Sequence, residues 1–280
     1  MANRDPRLTP ARPDLAASSL RGQVEALHFV DGEICEVVEA QAPLRRAPAP
    51  DAPLDTEALR GERVTIYESN EEGWAWGQLE SDGYVGWLPA NALKLPGPAP
   101  THRVAALRTL VFPGPSIKLP PIDALPFGAR IAIERMQDGF AVTGSGGYLT
   151  PQHLAPVTQV DADFVAVAER FVGVPYLWGG KTSLGLDCSG LVQLALTACG
   201  IACPRDSDMQ EAAVGAPSRL ADLQRGDLLF WKGHVAIARD RTSIVHANAF
   251  HMAVAIEPLT QAVERIRAGG SEVSSIRRVQ

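Results

Sequence analysis

One cysteine in the C-terminal half of the chain has the position of a catalytic nucleophile. Cys188 stands in GLDCSGLVQLALTACG at 185–200, where it begins a helical pattern of apolar residues that ends at Gly200. The free amides at a helix N-terminus stabilise negative charge, so this position favours a thiolate. We therefore expect Cys188 to ionise at neutral pH if a histidine lies beside it.

Two histidines belong to a predicted β-hairpin that follows the short apolar strand RGDLLFW at 225–231. A turn centred near Arg241 pairs residues that lie symmetrically about that position, which puts His246 on the strand beside His234. Neighbouring side chains on one face of such a pair are roughly 5–8 Å apart. We therefore expect His234 to act as the base and His246 to orient its imidazole, as in a catalytic triad.

A metal site built from Cys188, His234 and His246 is the competing interpretation of these residues. It would need a further thiol or a carboxylate, and catalytic zinc sites more often use histidine and acidic ligands. The pair Cys199 and Cys203 also lacks the second pair that would complete a zinc site. We favour catalysis that uses neither a metal nor another cofactor.

Two predicted helices and one antiparallel sheet must position these side chains. FVAVAERFVGVPYLWGG at 164–180 has apolar residues at i, i+3, i+4 and i+7, which predicts a helix that Gly173 and Pro175 end. A second helix begins at Cys188, and the hairpin with its preceding strand supplies the sheet. The C-terminal part of the chain is therefore predicted to be an α+β domain.

The preceding part of the chain contains a weak internal repeat of short strands. LRGERVTI at 59–66 is echoed by LPFGARIAI at 125–133, and GYVGWLPANAL at 83–93 is echoed by GYLTPQHL at 147–154. Period-two alternation between Gly and Asp turns predicts two small β-barrels. The predicted divisions are an N-terminal segment at 1–30 that packs on the first barrel, barrels at 31–97 and 101–157, and a catalytic domain at 158–280.

Taken together, the motifs of the C-terminal part resemble the NlpC-type cell-wall cysteine peptidases. They are YLWGG at 176–180, DCSGLV at 187–192, PRDSDMQ at 204–210, RGDLLFW at 225–231, GHVAIA at 233–238 and IVHANA at 244–249. The barrels resemble bacterial SH3-like domains, through PLRRAP at 43–48 and GYVGWLP at 83–89. The resemblance implies an α+β fold: a papain-like domain, with helices packed on an antiparallel sheet, preceded by two small SH3-like β-barrels.

The paired SH3-like domains resemble the subfamily that cleaves between γ-D-glutamate and an L-diamino acid. This implies murein-derived peptides with a free N-terminal L-Ala as substrates, cleaved through a thioester, with the first barrel closing one end of the cleft. An amidase or acyltransferase that uses the same thioester chemistry is one alternative. A murein-binding protein with an inactive peptidase fold is another.

The same resemblance implies a set of residues that contact the substrate and hold its free amine by acidic and aromatic groups. Asp187 also suits a helix N-cap, and Arg205 and Asp206 suit a structural ion pair. The implied substrate-binding residues are Asp187, Ser189, Tyr176, Trp178, Arg205, Asp206, Ser207, Tyr84 and Glu57.

Composition restricts the partners and the compartment. A net charge of −6 provides no basic surface for nucleic acid or an anionic membrane. No stretch approaches the roughly 20 apolar residues of a membrane helix. Charged residues such as Arg4 and Asp5 interrupt the N-terminal segment, and four cysteines are too few for a disulfide scaffold. We therefore predict a cytoplasmic protein that recycles cell-wall peptides.

Overall fold

The structure, a computed structural model, describes residues 4–279. The chain divides after Thr158 into two compact units.

The first unit begins with a segment that packs on the sheet following it. Its strands are β1 (Leu15–Ala17) and β2 (His28–Val30), which pair in parallel. The carbonyl of Arg7 accepts a hydrogen bond from the amide of Val85 at 2.8 Å. The guanidinium of Arg12 lies 4.4 Å from the centroid of the Trp76 ring and 5.0 Å from that of Trp87. Backbone and side-chain contacts therefore both hold this segment in place.

A seven-stranded antiparallel sheet follows, in the order β5-β4-β8-β7-β6-β3-β9. Leu44, Val64, Leu79 and Leu88 fill its core. Gly86 allows β8 to cross this core, because a Cβ there would lie 2.2 Å from a methyl carbon of Leu44. The strands are β3 (Glu33–Val37), β4 (Gln41–Arg45), β5 (Leu54–Leu59), β6 (Arg63–Ser69), β7 (Trp74–Leu79), β8 (Val85–Pro89) and β9 (Leu93–Lys94).

The remainder of the first unit forms two further sheets, in the orders β13-β10-β17 and β12-β11-β16-β15-β14. Val104, Leu125, Ile131 and Leu149 form their shared core. The strands are β10 (His102–Val104), β11 (Arg108–Phe112), β12 (Asp123–Pro126), β13 (Arg130–Ile131), β14 (Ile133–Gln137), β15 (Phe140–Thr143), β16 (Tyr148–Leu149) and β17 (Leu154–Pro156).

The second unit is built on a six-stranded sheet in the order β20-β25-β21-β22-β23-β24, whose paired strands are all antiparallel. The short strands β18 and β19 form a separate pair. The strands are β18 (Lys181–Thr182), β19 (Gly185–Leu186), β20 (Ala216–Ser218), β21 (Asp227–Trp231), β22 (His234–Ala238), β23 (Ser243–Asn248), β24 (Ala253–Pro258) and β25 (Ser275–Arg278).

Four helices accompany this sheet: α1 (Phe164–Glu169), α2 (Cys188–Ala198), α3 (Ser207–Ala213) and α4 (Leu259–Ala268). Helix α2 is buried along nearly its whole length and contacts β22 and β23. In α4, Leu259 and Ala262 pack on Leu229, Ala236 and Ile244 of the sheet. Helices packed on an antiparallel sheet are therefore confirmed for the catalytic part.

Helix α1 is shorter than the sequence predicts. Its regular turns end at Glu169, and the amides of Arg170, Phe171 and Val172 instead donate to the carbonyls three residues earlier. This tighter, 3-10 type of turn brings the chain to Gly173, which has a φ of 89° and reverses its direction. The predicted stop at Gly173 is thus correct, but the last turn before it is not α-helical.

Candidate active site

Cys188 is fixed at the first turn of α2 by a cap on the preceding residue. The Asp187 carboxylate accepts a hydrogen bond from the amide of Gly190 at 2.7 Å, which caps the helix as the sequence predicts. Gly190 is required there, because a Cβ would lie 2.4 Å from the carbonyl oxygen of Gly180. The backbone amides of Val235 and Ser189 donate to the sulfur. His234, the residue before Val235, is therefore adjacent to the nucleophile.

Burial dominates the ionisation of both reacting groups. Burial, with a smaller contribution from Asp187, raises the pKa of Cys188 to about 12, and the amides of Val235 and Ser189 offset this only in part. Burial, with smaller contributions from the neighbouring His246 and Arg265, lowers the pKa of His234 to about 3. Burial therefore disfavours the charged form of both groups and opposes the effect of the helix N-terminus. Ionisation of Cys188 at neutral pH stays a prediction.

A continuous chain of hydrogen bonds runs away from His234. Its Nε2 lies 2.8 Å from Nδ1 of His246, and Nε2 of His246 lies 2.7 Å from Oε1 of Glu257. The His246 side chain is fully buried, and Arg265 forms an ion pair with Glu257. The predicted pairing of His234 with His246 is confirmed, and so is the hairpin register, since Ile237 faces Val245 and Ala238 faces Ile244.

The proton positions along this chain follow from its end. The ionised carboxylate of Glu257 can only accept, so Nε2 of His246 carries a proton and its Nδ1 accepts. His234 must then donate from Nε2, which leaves the lone pair on its Nδ1 free to take a proton. Glu257 thus sets the tautomers of both rings so that His234 can serve as the base.

Glu257 and Arg265 were not predicted from the sequence. Glu257 lies on β24, in the same strand as Ala255, the residue directly opposite His246. Extending the hairpin pairing by one strand would have indicated Glu257 as a diagonal neighbour of His246. Arg265 gave no such signal, because it reaches the carboxylate from helix α4.

The structure brings together three of the predicted substrate-binding residues, Asp187, Ser189 and Arg205. Arg205, whose side chain is 1% exposed, donates to both Asp187 oxygens at 2.9 and 2.7 Å and to Oγ of Ser189 at 3.0 Å. Asp187 also accepts from the amide of Gly179 at 2.8 Å. We expected a structural ion pair between Arg205 and Asp206, but the ion pair of Arg205 that the structure shows is with Asp187. A direct contact of Asp187, Ser189 and Arg205 with substrate stays a prediction.

The other predicted residues of the second unit lie near the nucleophile or at helix α3. Burial, with smaller contributions from the nearby Cys188 and Asp187, raises the pKa of Tyr176 to about 12. Trp178 is 67% exposed. Asp206 precedes α3, and Ser207 is the first residue of that helix. Their contacts with substrate stay predictions.

Glu57 and Tyr84, the two predicted residues of the first unit, are both buried. Oε1 of Glu57 accepts a hydrogen bond from Gln41 at 2.9 Å. Tyr84 packs with the core of the first sheet, beside Leu79 and Leu88. Their role in holding the substrate amine stays a prediction.

Among residues 4–279, no helix has the length and apolar character needed to cross a membrane.

Each of the two units contains a region that matches a known protein family. Residues 173–267 match the NlpC/P60 family, and residues 44–93 match the bacterial dipeptidyl-peptidase Sh3 domain. A γ-D-glutamyl-L-lysine dipeptidyl-peptidase of Bacillus cereus is 27% identical over 238 residues, which cover 74% of this chain and 71% of the relative. The protein of the same name from Bacillus subtilis is 29% identical, with coverages of 76% and 78%.

A solved structure shows the same fold along most of the chain. The NlpC/P60 family protein from Bacillus cereus superposes with a TM-score of 0.74 at 21% identity, covering 88% of this chain and 99% of that protein. These matches agree with the order of the motifs in the sequence. They also agree with the position of His234 next to Cys188. Residues 173–267 therefore form an NlpC/P60 domain of the cysteine-peptidase class, and residues 44–93 form a bacterial SH3 domain that precedes it in the chain.

Proposed function

We propose that the protein hydrolyses the bond between γ-D-glutamate and an L-diamino acid in murein-derived peptides with a free N-terminal L-Ala. The observation that carries the chemistry is the hydrogen-bonded chain from Glu257 through His246 to His234, beside the thiol of Cys188. The substrate is inferred from the names of the two Bacillus relatives, which match about three quarters of this chain.

The reaction starts from a neutral pair. His234 takes the thiol proton while the sulfur of Cys188 attacks the γ-D-glutamyl carbonyl carbon. In this proposal the backbone amide of Cys188, at the helix start, donates to the oxyanion. His234 then protonates the departing amine, which leaves a thioester. Water, deprotonated by His234, releases the glutamyl carboxylate and restores the thiol.

The charge on Glu257 stabilises the imidazolium that forms during each proton transfer. Burial would raise the pKa of Glu257, but the hydrogen bond with His246 and the charge of Arg265 outweigh it and lower that pKa. The carboxylate therefore stays ionised while the positive charge moves onto His234. In this mechanism His246 orients the base and relays the effect of Glu257, and it does not itself transfer the thiol proton.

The substrate amine requires acceptors other than Asp187. Both oxygens of Asp187 already accept hydrogen bonds, from Arg205, Ser189, Gly179 and Gly190. An ammonium group would have to displace Arg205 from a buried ion pair, which is costly. The family resemblance implies Glu57 and Tyr84 as these acceptors, and their contact with the amine stays a prediction.

We further propose that the reaction belongs to the recycling of small murein peptides in the cytoplasm. All four cysteines are free thiols. Free thiols suit a reducing compartment, where disulfides rarely persist. A nucleophilic thiol also survives longest under those conditions.

The test compares kcat/KM for three substrates with mass analysis of the products: L-Ala-γ-D-Glu-L-Lys, its meso-diaminopimelate counterpart, and an N-acetylated tripeptide. We expect the dipeptide L-Ala-γ-D-Glu and the free diamino acid from the first two. The N-acetylated peptide should react at least tenfold more slowly, because its blocked amine leaves buried acceptors without a partner.

Other outcomes distinguish the alternatives. Release of the L-Ala residue, or of ammonia from an amidated peptide, would indicate a different amidase specificity. Transfer of the acyl group to an added amine in preference to water would indicate an acyltransferase. Tight peptide binding without turnover would contradict the peptidase proposal and indicate a murein-binding protein.

A further inference from the structure

Three side chains at one end of the hydrogen-bonded chain form a cluster of metal-ligand type. His246, His251 and Glu257 each place one ligand atom within 4.8 Å of those of the other two. Two imidazoles and one carboxylate form the protein ligand set of many catalytic zinc sites, with a fourth position left for water. We propose that this cluster binds a divalent ion of the zinc class and that the bound ion switches off the catalytic base.

Contacts with Asn248 determine the tautomer of His251. Its Nδ1 lies 3.0 Å from Oδ1 of Asn248, and the same oxygen accepts the backbone amide of His251 at 2.9 Å. An amide oxygen only accepts, so Nδ1 of His251 carries the proton and the lone pair is on Nε2. Metal-binding histidines commonly donate their other N–H to an oxygen in this way.

The cluster is accessible from one side. His251 is exposed, whereas His246 and Glu257 are buried at 1% and 7% exposure. An ion therefore meets His251 first. Nε2 of His246 and Oε1 of Glu257 are 2.7 Å apart, whereas ligands of tetrahedral zinc lie roughly 3.3 Å apart. The ion would replace their shared proton and separate these two atoms by about half an ångström.

Arg265 opposes the ion. Its guanidinium forms an ion pair with Glu257 and lies 4.3 Å from the centroid of the Phe250 ring. A second positive charge beside this guanidinium is repelled at close range. The site should therefore bind an ion reversibly, and loss of the Arg265 charge should tighten the binding.

The switch follows from the proton positions. With an ion on Nε2, the proton of His246 must lie on Nδ1, which then donates to Nε2 of His234. His234 now accepts at Nε2, so its own proton lies on Nδ1, the nitrogen that serves as the base in the ion-free protein. Both rings keep one proton each, but no lone pair remains on His234 to take the proton of Cys188. This part of the inference rests on the proposed function, whereas ion binding does not.

The binding test uses the Cys188→Ala protein, so that no thiolate can hold the ion at the catalytic sulfur. Zn²⁺ is titrated calorimetrically, and Co²⁺ is followed by its visible absorption. We expect one ion per chain, at least tenfold weaker binding in Cys188→Ala/His251→Ala, and tighter binding in Cys188→Ala/Arg265→Met. Cys188→Ala/His28→Ala, which removes an exposed histidine of the first unit, should bind as Cys188→Ala does. Equal affinity with and without His251, or no binding to Cys188→Ala, would overturn the site.

The inhibition test uses the protein with Cys188 intact. Zn²⁺ should lower kcat reversibly, with recovery in EDTA. The His251→Ala protein should keep its basal activity and require at least tenfold more Zn²⁺ for the same inhibition. Equal inhibition of both proteins would place the effect at the thiol and overturn the switch. Ion binding at His251 without inhibition would overturn the proton argument while leaving the site itself supported.

Discussion

Asp187 and Glu257, two buried carboxylates of the second unit, have opposite hydrogen-bonding arrangements. Both oxygens of Asp187 accept several hydrogen bonds, from Arg205, from the Ser189 hydroxyl and from two backbone amides. Glu257 accepts from His246 and Arg265, and the chain of bonds continues to His234. The Asp187 cluster is closed on itself, whereas the Glu257 chain ends in an unshared pair of electrons.

This difference separates support from chemistry. A closed cluster holds backbone in place, here the start of α2 that carries Cys188. In an open chain each group determines which nitrogen of the next group carries the proton, so the last group keeps a free lone pair. The same functional group, a carboxylate that is 7% exposed in both residues, therefore fixes structure in one case and prepares a base in the other. The predictions below test whether the two roles are as distinct as the bonds indicate.

The largest expected effect is at Cys188, next to the end of the hydrogen-bonded chain at His234. Cys188→Ala should reduce peptide cleavage to the uncatalysed level, because no other thiol is bonded to the amide of Val235. Unfolding by denaturant should stay within about 1 kcal/mol of wild type, since the change removes one small atom. The control is Cys199→Ser, which should keep most of the activity. Cleavage by Cys188→Ala near the wild-type rate would refute the thiol mechanism.

A large effect on stability is expected in the closed cluster. Arg205→Met removes the cation from a buried pair and leaves Asp187 uncompensated, which should cost about 3–5 kcal/mol of unfolding free energy. The matched control is Arg219→Met, because Arg219 is 81% exposed in its pair with Asp222, and its loss should change stability by less than about 1 kcal/mol. Chemical denaturation followed by fluorescence measures both. A cost for Arg205→Met no larger than the control would mean that the cluster does not support the fold.

Effects on catalysis without unfolding are expected along the open chain. Glu257→Gln should lower kcat on the order of 10²-fold with little change in KM, because the charge that stabilises the imidazolium is lost. His246→Gln should retain more activity than His246→Ala, and His234→Gln should be nearly inactive. Unfolding curves of each variant provide the control. Equal and complete loss in both His246 variants would indicate that His246 acts directly on the substrate or on the thiol proton.

The sequence predicted the local geometry of the site well, because local pairing rules determine it. The register of β22 and β23 follows from the position of their turn, and it correctly placed His246 beside His234. The cap at Asp187 follows equally from its position before a helical pattern. These features depend on residues that are close in the sequence.

The features that sequence reasoning missed depend on tertiary packing. Glu257 could have been found by extending the strand pairing to β24, but its partner Arg265 comes from helix α4 and is identified only when that helix packs on the sheet. The effect of burial on the pKa of Cys188 was missed for the same reason, because the depth of burial of a helix start cannot be read from its sequence. Desolvation then decides the sign of the shift in pKa.

The smallest expected effect is on the pH dependence of Cys188 alkylation. It compares groups that are buried without a counter-ion, Cys188 and His234, with the buried ion pair of Asp187 and Arg205. Asp187 and Arg205 form a buried ion pair, whereas burial favours the neutral forms of Cys188 and His234. With the pKa of Cys188 raised to about 12, the thiolate fraction grows tenfold for each pH unit below that value. Alkylation of Cys188 by iodoacetamide should therefore accelerate about tenfold per unit between roughly pH 6 and pH 9.

The His234→Gln protein supplies the control for this measurement. If the resting pair is neutral, the variant should show the same slope, because His234 holds no charge that supports a thiolate. A rate that is flat from about pH 5 to pH 8 in the wild type, and rising only in the variant, would show an ion pair at rest. The helix N-terminus would then outweigh burial, and the open chain would stabilise an imidazolium before the substrate arrives.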